Sequence, residues 1–194
     1  MSTDWRLLDT GLRGAADNLA LDQALLECHQ EGGSPNTLRF LRFEPCALVG
    51  YHQKVEHEVW TDFCAANGIA LQRRITGGGA IYFDPRHLGW ELYFDRAFLG
   101  TGDMTALSRR VCEAAAAGLR RLGIDAQFRP RNDIEVNGRK ISGTGGAFDG
   151  SSVIFQGTVL IDADMEQMLG ALKVAPEKLS KRQIEDIGER LTTV

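Results

Sequence analysis

The sequence predicts an α+β (mixed α/β) fold, with a largely antiparallel or mixed β-sheet flanked by helices. Strand-like and helix-like segments are interleaved without a regular βα alternation, which argues against a purely parallel sheet. Asn137-Gly138 stands between two alternating runs, the strongest short hairpin signal a sequence offers. The longest helical segment carries its apolar residues on one side, as a helix packed on a sheet does.

Taken in order, Asn18–Cys28 reads as a helix. Leu19, Leu21, Ala24, Leu25 and Cys28 lie mostly on one face, Asp17 or Asn18 caps the start, and Gly32-Gly33 ends it. Thr37–Phe43 alternates as a strand until Pro45, and Ala47–Tyr51 reads as a second strand. His57–Asn67 is a predicted helix with Val59, Trp60, Phe63 and Cys64 inward and Gly68 as its left-handed stop. Ile69–Arg73, Ile81–Phe83 and Leu88–Phe94 are strands, the first two interrupted by Thr76-Gly77-Gly78-Gly79-Ala80. Asp103–Leu122 is the longest helix, with an apolar stripe of Leu107, Val111, Ala114, Ala115, Gly118, Leu119 and Leu122. Ala126–Phe128 is a short strand, Asp133–Val136 and Arg139–Thr144 form the hairpin, and Val153–Ile161 is a long strand. Asp164–Leu172 is helical. From Pro176 onward the chain is charged, with Leu179, Ile184, Ile187 and Leu191 in a loosely helical rhythm.

Composition narrows the classes. With 194 residues, 43% hydrophobic and 25% charged, the chain suits one globular domain. Lys+Arg 22 against Asp+Glu 26 leaves −4, a poor balance for nucleic-acid binding. No apolar run approaches a membrane span, and the polar start carries no secretory signal. Four dispersed cysteines without a CxxC pair read as reduced thiols, so a cytoplasmic location is expected. Glycine is in excess: 22 of 194 is about 11%, against roughly 7% in average proteins. Such glycines mark turns, or they bring backbone against a ligand.

Three constellations could carry chemistry. Arg73-Arg74-Ile75-Thr76-Gly77-Gly78-Gly79-Ala80 combines fixed positive charge with a backbone that can lie against an anion, and it matches neither a P-loop nor GxGxxG. The plain alternative is a glycine-rich bulge beside surface arginines. In the hairpin, Asn132-Asp133 lies near Lys140, and strict alternation puts Lys140, Ser142 and Thr144 on one face. A cleft lysine there could hold a carboxylate against an α-phosphate; the alternative is a solvated edge-strand lysine. In Phe155-Gln156-Gly157-Thr158, the glycine inside a strand marks either a close ligand or ordinary packing.

Together these segments resemble the lipoate–protein ligase A family, within the biotin/lipoate ligase and octanoyltransferase superfamily. The resemblance rests on Asn18-Leu-Ala-Leu-Asp, Val49-Gly-Tyr-His-Gln, Arg73 through Asp84, Asn132 through Gly143, and Gln156-Gly-Thr-Val-Leu, in that order across nearly the whole chain. It implies a class II biotin/lipoyl-ligase-like catalytic domain over residues 1–194, with the accessory domain absent or on a separate chain. The implied activity uses ATP and Mg²⁺ to adenylate lipoate or octanoate, then passes the acyl group to a lysine of a lipoyl-carrier domain. Such carriers are 2-oxoacid dehydrogenase acyltransferases, glycine-cleavage H protein or a similar lipoate-binding protein. By motif position Lys140 is the catalytic residue. Arg74, Gly77, Gly78 and Gly79 would line the acyl and phosphate pocket, and Ile81 and Tyr82 would border adenine. Asn132 and Asp133 would hold phosphate or Mg²⁺, and Ser142, Gly145, Gln156 and Gly157 would complete the site.

The sequence departs from the family at three places. Phe83-Asp84 stands for a common His-Asp, Gly143-Thr144-Gly145-Gly146 for Gly-Ser-Ala, and Phe155-Gln156-Gly157-Thr158 for His-His-Gly-Thr. The rival activity is an ATP-independent octanoyl or lipoyl amidotransferase, which needs an activated thiolate near the lysine. Cys28, Cys64 and Cys112 fall on apolar helix stripes, and Cys46 follows Pro45 at a strand start. A non-catalytic lipoate-binding subunit is a further alternative, against which the retained Arg74, Asn132, Asp133 and Lys140 speak.

Overall fold

The structure, a computed structural model, describes residues 4–100, 102–162 and 164–173. β1 (Trp5–Arg13) leads into α1 (Ala15–Gln30), and β2 (Asn36–Phe43) and β3 (Cys46–Val49) follow. Two short helices, α2 (Val55–Glu58) and α3 (Thr61–Ala66), precede β4 (Ala70–Arg73), β5 (Ile81–Phe83) and β6 (His87–Asp95). Then come the long helix α4 (Met104–Arg121), the strands β7 (Ala126–Arg129), β8 (Asp133–Val136), β9 (Arg139–Asp149) and β10 (Ser152–Leu160), and α5 (Met165–Ala171).

The strands form a seven-stranded sheet in the order β1-β2-β6-β10-β9-β8-β7 and a three-stranded sheet in the order β4-β3-β5. Among the described residues only β1–β2 and β3–β4 are parallel pairs, so the expected mixed, largely antiparallel sheet flanked by helices is what the chain forms. α4 covers one face of the large sheet, where Leu107, Val111 and Cys112 pack on Phe94, Ile134, Ile141 and Phe155. α1 covers the other face, where Leu25 and Leu26 meet Tyr93 and Ile154. The sheets are joined by Leu41 and Phe43 of β2 against Cys46, Leu48 and Phe83 of the small sheet. No helix among the described residues is long and apolar enough to cross a membrane.

Local signals explain most boundaries. Asp103 caps α4 by accepting from the Thr105 and Ala106 amides at 3.1 and 3.0 Å, and Gly123 leaves the helix at φ 88°. Asn137 and Gly138, both at positive φ, make the β8–β9 turn.

Three readings change. The predicted helix His57–Asn67 is two pieces. Between them Val59 bridges to Leu172, and the Trp60 amide donates to the Ala171 carbonyl at 2.8 Å, so tertiary pairing replaces a helical turn. Trp60 consequently points outward, 52% exposed. β1 has no counterpart in the sequence prediction, because an edge strand with both faces half-exposed leaves little periodicity. Cys28 is exposed, since the buried face of α1 runs through Ala15, Asn18, Asp22, Leu25 and Leu26. The helical rhythm from Pro176 onward lies outside the described residues.

Candidate active site

A cavity of about 260 Å³ opens where the two sheets meet. Its floor is β6, β9 and β10, its roof the Thr76–Ala80 loop after β4, and Leu19 and Asp22 of α1 form one wall. Leu41, Phe43, Leu48 and Phe83 supply apolar wall, while Asn132 and Lys140 stand at the β9 side.

The glycine loop is held by arginines from behind. Arg74, nearly buried, donates through Nη1 to the Leu48 carbonyl at 2.9 Å and through Nη2 to the Gly77 and Gly79 carbonyls at 2.7 and 2.8 Å. Burial lowers its pKa to about 10, against the opposing pull of Glu58. Arg73 donates to the carbonyls of Gly50, Tyr51 and Gln53. Both arginines therefore brace backbone. Gly78 sits at φ 95°, and a Cβ on Gly50 would lie 1.9 Å from the Gly78 carbonyl oxygen. The loop and the β3 end interlock so closely that only glycine fits there.

Lys140 Nζ lies 2.7 Å from Asp133 Oδ1, with both side chains partly exposed. Gly143 gives it room, because a Cβ there would meet Nζ at 3.1 Å. Arg131, at φ 98°, turns the chain into Asn132. Asn132 then ties β9 down: its side-chain amide donates to the Thr144 carbonyl, and its own carbonyl accepts from the Thr144 amide and hydroxyl.

The expected common face of Lys140, Ser142 and Thr144 does not form. The β8–β9 register shifts between Ile134 and Glu135, so Glu135 faces Lys140 while Ile134 faces Ser142. This bulge turns Ser142 to the α4 side, where its hydroxyl is buried without a partner and outside the cavity lining. Thr144 Oγ1 likewise reaches Cys112 Sγ of α4 at 3.3 Å. Tyr82 is also outside the lining, 3% exposed among Val49, Val59 and Ala171 of the small core. Arg74, Gly77, Gly78, Gly79, Ile81, Asn132, Lys140, Gly145, Gln156 and Gly157 do line the cavity, and Asp133 reaches it through Lys140. At Gly157 a Cβ would strike the Trp90 ring at 2.1 Å, so that glycine makes room for packing behind the site.

The sequence reading missed a buried polar network at the α1 wall. Arg39, fully buried, donates to Asp22 at 2.6 Å, Glu91 at 2.9 Å, Asn18 at 2.6 Å and Thr10 at 3.0 Å. Gln156 Nε2 donates to Glu91 at 2.7 Å and Asp22 at 3.1 Å, while its Oε1 accepts from Thr76 at 2.7 Å. Burial, then the neighbouring Glu91 carboxylate, pushes the Asp22 carboxyl well above its usual range. One signal was available: Asn18 and Asp22 are one helical turn apart on the buried side of α1.

None of the four cysteines lines the cavity. Cys46, Cys64 and Cys112 are buried, and burial raises the Cys46 thiol to about 12.

A mixed sheet, a braced triple-glycine loop and a lysine at the mouth of a partly apolar cavity define a catalytic domain of the biotin/lipoate ligase fold. Residues 14–194 match the lipoyl protein ligase A/B catalytic domain, and the chain belongs to that family. It is 32% identical to lipoate-protein ligase A subunit 1 of Thermoplasma acidophilum, over 91% of this chain and 70% of that one. It is 30% identical to the octanoyltransferase LipM of Kyrpidia tusciae, over 92% of this chain and 73% of that one. Among solved structures, the bi-partite lipoate protein ligase of Thermoplasma acidophilum, described with its E2 lipoyl domain, superposes with a TM-score of 0.81 at 31% identity. The match covers all of this chain and 75% of that one. Lipoate-protein ligase A bound with ATP superposes equally well, TM-score 0.81 at 28% identity, over 98% of this chain and 76% of that one.

Proposed function

We propose that this chain is the catalytic part of an ATP-dependent lipoate–protein ligase. It adenylates the carboxylate of lipoate or octanoate and passes the acyl group to a lysine of a lipoyl-carrier domain. The observation that carries this reading is Lys140, held by Asp133 at the mouth of a cavity that no cysteine lines. In the first step a carboxylate oxygen attacks the α-phosphorus and pyrophosphate leaves. In the second, the carrier amine attacks the acyl carbon, AMP leaves and the amine loses a proton. Both steps gather negative charge where the Lys140 ammonium and the loop amides can meet it. The bi-partite and ATP-bound relatives make a lipoyl domain and ATP the natural partner and co-substrate. Consumption of ATP suits a cytoplasmic setting.

Magnesium fits in one manner only. No cluster of three or more His, Cys, Asp or Glu among the described residues could cage a metal. Asp133 alone, together with phosphate oxygens, matches the usual magnesium arrangement; the ion would neutralise phosphate charge there. On this reading residues 1–194 supply the catalytic domain, and an accessory domain or subunit is a separate contribution.

The LipM relative favours one second reading, acyl transfer through a cysteine thioester. ATP–pyrophosphate exchange with lipoate, octanoate and biotin, with and without a lipoyl domain, separates the two. Acid-dependent exchange is expected, and Lys140→Ala should lower it by about 100-fold or more with unchanged thermal stability. ATP-independent transfer through a hydroxylamine-sensitive acyl adduct on a cysteine would overturn the proposal.

A further inference from the structure

The break between α2 and α3 places one carboxylate behind the glycine loop. Glu58, the last residue of α2, is half-buried and does not line the cavity. Its Oε2 accepts from the Ala80 amide at 2.7 Å. At the other end of the same peptide unit, the Gly79 carbonyl accepts from Arg74 Nη2 at 2.8 Å. The Gly79–Ala80 peptide is thus held at both poles of its dipole, by a carboxylate at the amide end and a guanidinium at the carbonyl end. Arg74 Nη2 draws back the Gly77 carbonyl as well, at 2.7 Å. Among the described residues no backbone carbonyl takes the Gly77, Gly78 or Gly79 amide, and all three glycines line the cavity. Successive amides of this kind are suited to an anion.

A run of three glycines is the part of the roof most free to turn a peptide over, because glycine adopts either sign of φ at little cost. Glu58 is well placed to prevent this, since its own backbone is fixed from α5. The Lys173 amide donates to the Glu58 carbonyl at 2.7 Å, Val59 bridges to Leu172, and the Trp60 amide donates to the Ala171 carbonyl at 2.8 Å. Lys173 Nζ also donates to the Glu56 carbonyl at 2.8 Å and stands 4.3 Å over the Trp60 ring. The pairing that splits the expected helix therefore also fixes where the Glu58 side chain starts. A carboxylate beside an anion pocket repels the ligand unless a cation offsets it. Arg74 is that cation, and Glu58 in turn opposes the lowering of the Arg74 pKa by burial.

We propose that Glu58 is a positioning residue for acyl activation: it keeps the Gly79–Ala80 peptide from turning over, so that the roof meets the reacting groups with amides rather than with a carbonyl. A turned peptide would set the negative end of its dipole where charge gathers on the α-phosphate and the leaving oxygens. Glu58 lies outside the cavity lining and acts through the loop. The chemistry of this inference rests on the ligase reading; the pinned peptide does not.

The test compares two variants of the full chain: Glu58→Ala, which removes the acceptor, and Glu58→Gln, which keeps an oxygen for the Ala80 amide. In ATP–pyrophosphate exchange with lipoate, Glu58→Ala should lower kcat about tenfold or more and leave KM for the acid within about threefold, and Glu58→Gln should recover most of the loss. In hydrogen exchange followed by NMR, the Ala80 amide should exchange about tenfold faster or more in Glu58→Ala, while the amides of β3 keep their protection. Parental kcat in Glu58→Ala would overturn the proposal, and so would unchanged exchange at Ala80. Equal impairment of the two variants, or loss of β3 protection together with kcat, would reduce Glu58 to a structural role and overturn it too. A parent without acid-dependent exchange of pyrophosphate would overturn the ligase reading instead, and the Ala80 amide would still decide whether Glu58 pins the loop.

Discussion

The two faces of the large sheet solve opposite problems. On the α1 face, a buried guanidinium, two carboxyls and four polar side chains are mutually bonded, from Arg39 and Asp22 to Gln156 and Thr76. On the α4 face the packing is almost purely apolar, yet Leu122 and Trp5 remain open to solvent. The polar face is closed because each buried donor or charge demands a partner inside the fold. The apolar face stays open because hydrophobic contact is non-directional and accepts a cover from elsewhere. The candidate cavity sits on the closed side, where the Thr76–Gln156 hydrogen bond ties its roof to its floor.

The largest effect should come from breaking the polar side. Arg39→Leu leaves Asp22 and Glu91 without their cation, and thermal or urea unfolding should show a loss of about 3–5 kcal/mol. A near-neutral result would mean that the network is not what closes that face. On the apolar side, Gly157→Ala forces a methyl group into the Trp90 ring and should cost about 1–3 kcal/mol. Adding Trp90→Leu should recover part of it, and strict additivity in that double-mutant cycle would refute the packing role of the glycine.

Gly50→Ala acts on the roof. Its methyl group would press on the Gly78 carbonyl, and acyl-acid binding should weaken by about 1–3 kcal/mol, read as KM in pyrophosphate exchange. Unaltered KM would separate the glycine loop from the substrate.

The smallest effect is a pH slope. Asp22 has a raised folded pKa, so its contribution to stability is fully present below the unfolded carboxylate value of about 3.9. That contribution is lost as pH rises through the folded value. Asp22→Asn should therefore flatten the decline of Tm on that side. Asp84, lowered by hydrogen bonds from Arg86 and His87 against the effect of burial, acts in the opposite sense: its stabilisation is lost as pH falls through its folded value. An identical decline in the parent and Asp22→Asn would show that Asp22 is already ionised in the folded protein.

Much of this was legible in the sequence, because it depends on local chemistry. The longest helix starts beside Asp103 and Asn137-Gly138 makes the hairpin as expected, since helix starts and tight turns need only neighbouring residues. The glycine block and Lys140 stood out as candidates for the same reason, since unusual residues in a fixed order are visible without a fold, and both line the cavity. The roles inside the site were not legible. Arg74 reads as an anion ligand in sequence but braces three carbonyls in space. Ser142 reads as a neighbour of Lys140, yet one bulge turned it to the other face. A one-residue shift in register reverses every side chain after it, and alternation alone cannot reveal it.

The sequence by itself determined the fold class, the order of most elements and the residues from which a site could be built. Only the tertiary structure decided which of them meet. Arg39, Asp22, Glu91 and Gln156 lie as much as 134 positions apart, and nothing local marks them as partners. Burial in one low-dielectric place makes their pairing obligatory, and that place exists only once α1 and the two sheets have closed around it.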